Sequence, residues 1–330
     1  MTWITWRRYR VRIISLGLYV VALIVFMVLT QHAFQNAAVV CSRLHVDINQ
    51  GDYCNAASLA KSHGSLVETA IALLPFFIGL ILGTPLVANE FERKTHRLAW
   101  SQGVTRTRWL VKTWLTLAIP TVVVMSLFAL IVQWWATHIV TSISSGGGLI
   151  EPAQMRISGV APIALALLLL TLGMLIGIIV RRFFSPYATS VVAFFVVMGV
   201  MPTLVLSSLA AKIVVPTSPY GITKLPNALR SRPWFISSGY RRIPGFHVGT
   251  HARSVSAVIQ YCSNTANWMK YNNIGKGYPA CMLAHGLQVI SIYQPASHYW
   301  ILQWREAGLY VAATGVLLSL SIWSIRRWSA

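Results

Sequence analysis

Charged residues that could bind a partner protein are concentrated in residues 83–112, between two apolar runs. Two of the chain's seven acidic residues and six of its twenty-seven basic residues lie in this segment. The apolar runs cover residues 73–87 and 114–135. Because an unpaired charge is costly in lipid, the charged segment must lie at the membrane surface as a hairpin.

The spacing of these charges fits one face of a short helix. The charged stripe falls at positions i, i+3, i+4 and i+7: Glu90, Arg93, Lys94 and Arg97. Glu90 is placed to pair with Lys94. Phe91, Thr95 and Leu98 form the opposite and less polar face. The residues alone leave two interpretations: a solvated, lipid-anchoring loop, or a short amphipathic helix that docks a partner protein.

The composition identifies the class of protein in which this hairpin sits. The 330-residue chain is 55% hydrophobic and 10% charged, whereas soluble domains carry about 25% charged residues. The chain is therefore predicted to be an integral membrane protein. Its net charge of +20 does not indicate nucleic-acid binding, because many basic residues flank apolar runs, where they mark topology and contact anionic lipids.

The pattern predicts an all-α integral membrane protein with six transmembrane helices. The predicted spans are residues 13–30, 70–87, 114–136, 159–180, 187–211 and 307–325. Residues 1–211 form the membrane domain, with an outer loop at 31–69 and a cytoplasmic hairpin at 88–112. Residues 212–304 form a small extracytoplasmic domain, rich in aromatic residues, whose fold is left open between strands and short helices. Residues 305–330 contain the last span and a cytoplasmic tail.

The distribution of basic residues predicts the orientation. Fourteen lie on the side that holds both termini and the hairpin, whereas three lie in the two shorter outer loops. The other ten lie in residues 212–305, a segment too long for the positive-inside rule to apply. We therefore expect both termini on the cytoplasmic side.

All four cysteines fall in the predicted outer segments, on the side of the membrane where disulfides persist. Cys41 and Cys54 lie in the first outer loop, and Cys262 and Cys281 in the last. The favoured pairs are Cys41–Cys54 and Cys262–Cys281, although four cysteines allow three pairings and unpaired thiols are the alternative. No C-x-x-C spacing indicates a metal site.

Sequence motifs for chemistry within the chain are missing. The sequence contains no P-loop, no G-x-S-x-G elbow and no H-E-x-x-H motif. The middles of the predicted spans hold no Asp, Glu, Lys or Arg, the groups on which ion-coupled carriers depend. No catalytic, cofactor-binding or metal-binding residue is predicted, so the energy for any transport should come from elsewhere.

Two stretches resemble type-2 ATP-binding-cassette (ABC) transporter permeases, especially an actinobacterial-like group. Residues 83–109 contain G-x-P-x-x-A-x-E-x-E-x-x-T-x-x-x-A-x-x-Q followed by R-x-R-W. The second stretch, residues 293–308, contains YQPAS followed by YW, QW and EAG, at the junction into the last span. Six spans agree with the family. Asn89 and Arg305 depart from its usual residues.

The resemblance implies the permease subunit of a bacterial plasma-membrane ABC exporter. Two permease copies, or two related permeases, would pair, and each would bind a separate cytoplasmic ATPase that holds ATP and magnesium. The hairpin is similar to the family's coupling helix, which sits in a cleft of the ATPase. The ATPase-coupling residues would be Glu90, Phe91, Glu92, Arg93, Lys94, Arg97 and Leu98.

The substrate and two other classes of function stay open. Few polar side chains lie in the predicted spans, which favours a hydrophobic or amphipathic cargo: Thr116, Ser126, Gln133, Thr171, Ser190, Ser207, Ser208 and Ser319. The same residues also serve as contacts between helices. The alternatives are a stand-alone membrane sensor or assembly protein that reads an outer ligand through residues 212–304, and a membrane-embedded enzyme. The sequence shows no clustered carboxylates or histidines at a membrane surface, which counts against a membrane-embedded enzyme.

Overall fold

The chain is mostly helical and separates into two compact units. The computed structural model describes residues 2–43, 55–86, 105–136, 152–180, 185–209, 213–216, 234–242, 255–264, 281–282, 284–294 and 296–327. The first unit comprises Met1–Ser145, Pro152–Ser207 and Tyr299–Ala330, and the second comprises Gly146–Glu151 and Ser208–His298. The predicted helical character holds for the first unit, whereas the second contains a small sheet, so all-α is too narrow a description of the whole chain.

The first unit is a bundle of helices. In chain order they are α1 (Thr2–Arg43), α2 (Asn55–Ala72), α3 (Leu74–Ile78), a π-helical segment (Gly79–Gly83), α4 (Arg106–Trp135), α5 (Pro152–Ile157), α6 (Ala161–Ile179), α7 (Ser185–Leu209) and α9 (Tyr299–Arg327). Helix α8 (Val255–Ser263) belongs to the second unit. Several extend past the predicted spans. The last helix begins at Tyr299, directly after a 3₁₀ turn at Ala296–His298.

Five helices within the described residues are long and apolar enough to cross a membrane. They are Arg10–Ala33, His63–Gly83, Arg106–Trp135, Ala161–Ile179 and Tyr299–Arg327. Helix α7 holds a shorter apolar stretch, Pro186–Val200, so a sixth span stays a prediction. The chain is a multi-pass membrane protein.

Burial differs strongly between these helices. In the most apolar window of α6, 78% of the residues are buried, against 17% for the first span. Large apolar side chains are exposed on the outer helices, among them Leu18 at 65%, Leu130 at 69% and Val192 at 65%. In water such a surface would be unstable, but lipid chains solvate it. Helix α6 is therefore the central helix of the bundle.

Contacts between side chains define the directions of the helices. Tyr19 Oη donates to the Ala70 carbonyl oxygen at 2.8 Å, and the rings of Phe26 and His63 lie 6.5 Å apart, so α1 runs antiparallel to α2. Helices α6 and α9 run in the same direction. Their early residues pack together in one cluster: Ala161, Ala164, Leu168, Ala307 and Tyr310.

With these directions, the ends of several helices lie close together. Arg326 Nε donates to Thr107 Oγ1 at 3.2 Å, which joins the end of α9 to the start of α4. Thr84 Oγ1 donates to Ser190 Oγ at 2.9 Å, which joins the end of the π segment to the first turns of α7. The start of α1 lies at the same end. We call this the basic end, after Arg10, Arg12, Arg106, Arg108, Lys112, Arg326 and Arg327. Its assignment to the cytoplasm stays a prediction.

The second unit contains a three-stranded antiparallel sheet in the order β1-β3-β2. The strands are β1 (Ile213–Pro216), β2 (Trp234–Arg242) and β3 (Leu287–Gln294), and the register of β2 against β3 shifts between Phe235 and Ser237. Helix α8 (Val255–Ser263) carries the buried Val258 and Cys262. That this unit lies outside the cell stays a prediction.

A disulfide joins Cys262 to Cys281, with an S–S distance of 2.08 Å. It is the pairing that the sequence favours for these two residues. Both half-cystines are fully buried, in a small core with Val258, Met282 and Leu287. The bond therefore closes a loop within the second unit and anchors α8 to the segment before β3. The other favoured pair lies outside the described residues, because Cys54 and the side chain of Cys41 are not among them.

Removing this disulfide should loosen the second unit. A bond across 19 residues contributes about 3 kcal/mol by restricting the unfolded chain. We expect the double variant Cys262→Ser, Cys281→Ser to be cut faster by trypsin at the exposed Arg241 and Arg242. Ser263→Ala, an exposed neighbour on the same helix, is the control. Equal cleavage rates for the double variant and the control would contradict the stabilising role.

Candidate functional site

The segment that precedes the predicted coupling hairpin is held against the central helix. Residues 88–104 of the hairpin lie outside the described part of the chain, but its last residues, 105–112, and the segment before it, up to Leu86, are described. Leu86, at its entry, is fully buried. Arg106 and Thr107, at its exit, begin α4, and Thr107 contacts Arg326. The described residues on both sides of 87–104 therefore contact the rest of the bundle.

Three glycines let the π segment touch the backbone of α6. A Cβ atom added to Gly83 would lie 2.5 Å from the Leu170 carbonyl oxygen, and one added to Gly79 would lie 2.9 Å from the Leu169 backbone. From the other side, a Cβ on Gly173 would lie 2.8 Å from the Gly79 carbonyl oxygen. No real side chain fits at such distances. We call this contact the glycine crossing.

Hydrogen bonds fix the helices around the glycine crossing. The Thr84–Ser190 bond ties the end of the π segment to α7, and both residues are buried. Trp114 Nε1 donates to Thr171 Oγ1 at 3.0 Å, which ties α4 to α6. Thr171 Oγ1 in turn donates to the Leu167 carbonyl oxygen at 2.8 Å. These hydrogen bonds lie within one or two helical turns of the glycine crossing. They therefore link four elements there: α4, α6, α7 and the π segment.

A second polar junction lies at the opposite end of the bundle, where α6 and α9 begin. Gln303 Oε1 accepts from the Ala161 N–H at 2.9 Å, and Gln303 Nε2 donates to the Met155 carbonyl oxygen at 3.0 Å. Gln303 thus pairs one of the open N–H groups at the start of α6. Gly159 has a φ of +80°, and a Cβ there would lie 2.7 Å from the Gln303 side chain. We call this arrangement the glutamine clamp.

Replacing Gln303 should destabilise the bundle. In Gln303→Leu the Ala161 N–H and the Met155 carbonyl oxygen lose their partners, at about 1–3 kcal/mol for each buried group. We expect a clearly lower midpoint of thermal unfolding in detergent. Arg305→Ala, an exposed position on the same helix, should stay close to the wild type. If both variants unfold at the same temperature, the clamp contributes no stability.

The region that contains most of these contacts matches a known protein family. Residues 14–206 match the family model described as ABC-2 membrane transporter related. The chain belongs to the ABC-2 membrane transporter related family. This makes it a membrane transport subunit of the ABC-2 permease type. No curated protein and no solved structure matches the chain significantly.

The matched region of this ABC-2-related chain contains the glycine crossing and the predicted coupling hairpin. The seven predicted ATPase-coupling residues all lie outside the described residues, so their roles stay predictions: Glu90, Phe91, Glu92, Arg93, Lys94, Arg97 and Leu98. The glutamine clamp combines Met155 and Ala161, within the matched region, with Gln303, which lies beyond it.

A buried carboxyl group lies next to the glutamine clamp. Glu306 is 5% exposed, and its Oε1 accepts a hydrogen bond from Tyr310 Oη at 2.7 Å. The exposed Arg156 on α5 attracts the Glu306 carboxylate electrostatically. Glu306 comes just before the last predicted span, but α9 begins at Tyr299, so Glu306 lies inside a membrane-length helix. Its hydrogen bond and the opposite charge reduce the cost of burying it.

Within the described residues, one group of side chains has the composition of a metal site. The ligand atoms of Cys262, Cys281 and His285 lie within 4.8 Å of one another. Both sulfur atoms belong to the disulfide, and a metal needs the thiolate form. His285 Nδ1 lies 2.9 Å from the Cys281 carbonyl oxygen. With the disulfide formed, this group is a structural element of the second unit.

The glycine crossing and the glutamine clamp are not predicted from the sequence. A signal for the crossing exists: residues 79–83 read GLILG and residues 173–177 read GMLIG. Both are G-x-x-x-G motifs in apolar helices, a spacing typical of close helix contacts in membranes. The clamp has no local signal, because Gln303 contacts residues more than 140 positions away.

Proposed function

We propose that the chain is the membrane-spanning permease subunit of an ABC exporter. Hairpin 88–112 docks into a separate cytoplasmic ATPase, which binds ATP and magnesium and performs the hydrolysis. The observation that supports this most strongly is the packing of the described segment that leads into the hairpin. Its entry follows, within a few residues, a π segment packed against the backbone of the central helix α6.

This contact provides a route for mechanical coupling. Backbone contacts at Gly79, Gly83 and Gly173 leave little space for the π segment to move alone. A displacement of the hairpin would therefore move α6, and with it α9, which packs along α6 through Ala164, Leu168 and Tyr310. Rigid helices with closely fitted contacts transmit such displacements, because packed interfaces do not deform continuously. Movement at the basic end would reach the glutamine clamp at the far end.

The cargo is hydrophobic or amphipathic in this proposal. Several polar side chains in the described helices are engaged within the protein. Thr84 bonds to Ser190, Trp114 bonds to Thr171, and Thr314 Oγ1 donates to the Tyr310 carbonyl oxygen. A sugar or an ion would need free polar groups along its path. A second permease copy or a related permease completes the transporter, since the exposed apolar faces of α1, α4 and α7 can contact another subunit as well as lipid.

Co-expression with an ABC ATPase tests the proposal. A tagged chain should retain the ATPase through purification in mild detergent, and ATP hydrolysis should rise when the two are reconstituted together in vesicles. An ATPase with its P-loop lysine changed to alanine should still co-purify but should not hydrolyse ATP. Purification of the chain alone, with no effect on hydrolysis, would favour the sensor or assembly function that the sequence leaves open.

A further inference from the structure

An apolar cavity of about 490 Å³ lies between α1, the α3–π segment and α4. Its volume falls within the range of about 300–1,000 Å³ typical of small-molecule sites. The inner wall is buried: Leu74 is 0%, Ile78 3% and Met125 2% exposed. At the rim, Val21 and Val124 are 56% and 47% exposed. The cavity therefore opens on the outside of the bundle, toward lipid.

Hydrocarbon lines almost all of this cavity. The polar side chains among its lining residues are Thr116 and Thr121, and no lining residue is charged. Thr116 Oγ1 donates to the Lys112 carbonyl oxygen at 2.6 Å, so its hydroxyl group is already engaged. Water gains little in a space with so few polar partners. The wall suits a hydrocarbon chain.

Two departures from regular helix structure line the cavity. Residues of the π segment and its start, Ile78 and Leu82, form one wall. Pro120, inside α4, lines the opposite wall, and a proline there removes a backbone hydrogen bond and bends the helix. On α1, Gly17 lines the cavity, and a Cβ added to it meets no atom within 4 Å. The cavity therefore has room at Gly17 for a larger side chain.

One end of the cavity adjoins positive charge. Helices α1 and α4 both start at the basic end, and Ile13 and Thr116 are their cavity residues nearest to it. Arg10 lies about one turn before Ile13, and Lys112 one turn before Thr116; both are exposed. Basic side chains beside an apolar cleft fit an anionic headgroup attached to a hydrocarbon chain.

We propose that this cavity binds one acyl chain of an anionic phospholipid from the surrounding leaflet, with its headgroup beside Arg10 and Lys112. The rim exposed at Val21 and Val124 lets the chain enter sideways from the bilayer. The bound chain fills the space between the π segment and Pro120, the two irregular parts of the helices near the hairpin. The site binds lipid whether or not an ATPase is attached, so it does not depend on the proposed export function.

Photo-labelling of the full-length protein tests this site. The protein is reconstituted in phosphatidylcholine vesicles with a trace of phosphatidylglycerol that carries a diazirine on one acyl chain. A parallel sample contains phosphatidylcholine with the same diazirine chain. After illumination, peptide mass spectrometry should locate labels at Leu74, Ile78 or Met125. The labelling should be at least about threefold stronger with the anionic probe, which corresponds to a modest difference in binding free energy between the two lipids.

Gly17→Trp should fill the cavity and abolish this labelling, and Gly17→Leu is a smaller substitution with the same expected direction. Gly315→Trp is the matched control, because a Cβ at Gly315 also meets nothing within 4 Å and α9 does not line the cavity. The double variant Arg10→Gln, Lys112→Gln should remove the preference for the anionic probe while labelling persists.

Three outcomes would overturn the proposal. Equal labelling by the two probes would remove the headgroup preference, and unchanged labelling in folded Gly17→Trp or Gly17→Leu protein would place the lipid elsewhere. Efficient disulfide-linked dimers of a Gly17→Cys variant, without lipid labelling, would assign the cavity to a contact between two copies of the chain. None of these results depends on ATPase binding, so they are separable from failure of the transporter itself.

Discussion

Reversing three hairpin charges, as Glu90→Lys, Arg93→Glu and Arg97→Glu in one variant, should abolish the stimulation of ATP hydrolysis by the reconstituted transporter. The three residues share one face of the predicted helix, which in the proposed transporter lies against the ATPase. Losing one partner of a buried charged pair at an interface costs about 2–5 kcal/mol, a loss of affinity of about 30-fold or more. We expect both co-purification and stimulated hydrolysis to fall by at least that factor.

The control for this variant is Arg241→Glu, which changes the net charge of the chain by the same amount. Arg241 is exposed on β2 in the second unit, on the predicted outer side. The Arg241→Glu substitution should therefore leave ATPase binding unchanged. If the hairpin variant still folds, retains its ATPase and stimulates hydrolysis like the control, the hairpin has no coupling role.

The second large effect is expected at the glycine crossing. In Gly173→Ala the new methyl group would lie 2.8 Å from the Gly79 carbonyl oxygen and from the Thr84 backbone nitrogen. Both are backbone atoms, so the π segment must move away from α6. Such overpacking costs about 1–3 kcal/mol, and the shift also strains the Thr84–Ser190 hydrogen bond. We expect a lower unfolding temperature in detergent and weaker stimulation of ATP hydrolysis.

Gly315→Ala separates this contact from a general effect of alanine in a helix. A Cβ at Gly315 meets nothing within 4 Å, and alanine favours helix over glycine by about 1 kcal/mol. This control should therefore be as stable as the wild type or slightly more so. Gly83→Ala, with a Cβ 2.5 Å from the Leu170 carbonyl oxygen, should behave like Gly173→Ala. Stability equal to that of Gly315→Ala would contradict the close contact.

Hydrophobic segments and their flanking charges were readable from the sequence, because both follow from the cost of placing polar groups in lipid. That cost acts on each residue separately, so it appears in the local pattern. The membrane helices are of this kind. The family resemblance depends instead on the residue motif in 83–109, and the match to the ABC-2-related family confirms it. The sequence also favours the Cys262–Cys281 pair, because both cysteines lie in one long polar segment.

Contacts between distant residues were not readable in the same way. Gln303 meets Ala161 and Met155 only once α6 and α9 are packed side by side. The cavity at Gly17 depends on a π segment and a proline on two other helices, and no local pattern predicts their juxtaposition. Glu306 is buried inside α9, which starts earlier than the predicted span. These features depend on the packing of several helices at once.

The most direct test of the central claim is the side of the membrane on which the hairpin lies. A variant with Arg97→Cys is treated in intact cells with a membrane-impermeant maleimide, and peptide mass spectrometry reads the modification at that position. Arg241→Cys in the second unit is the comparison. We predict that Arg97→Cys reacts only after the cells are permeabilised, whereas Arg241→Cys reacts in intact cells. Modification of Arg97→Cys in intact cells would contradict an ATPase-coupling hairpin.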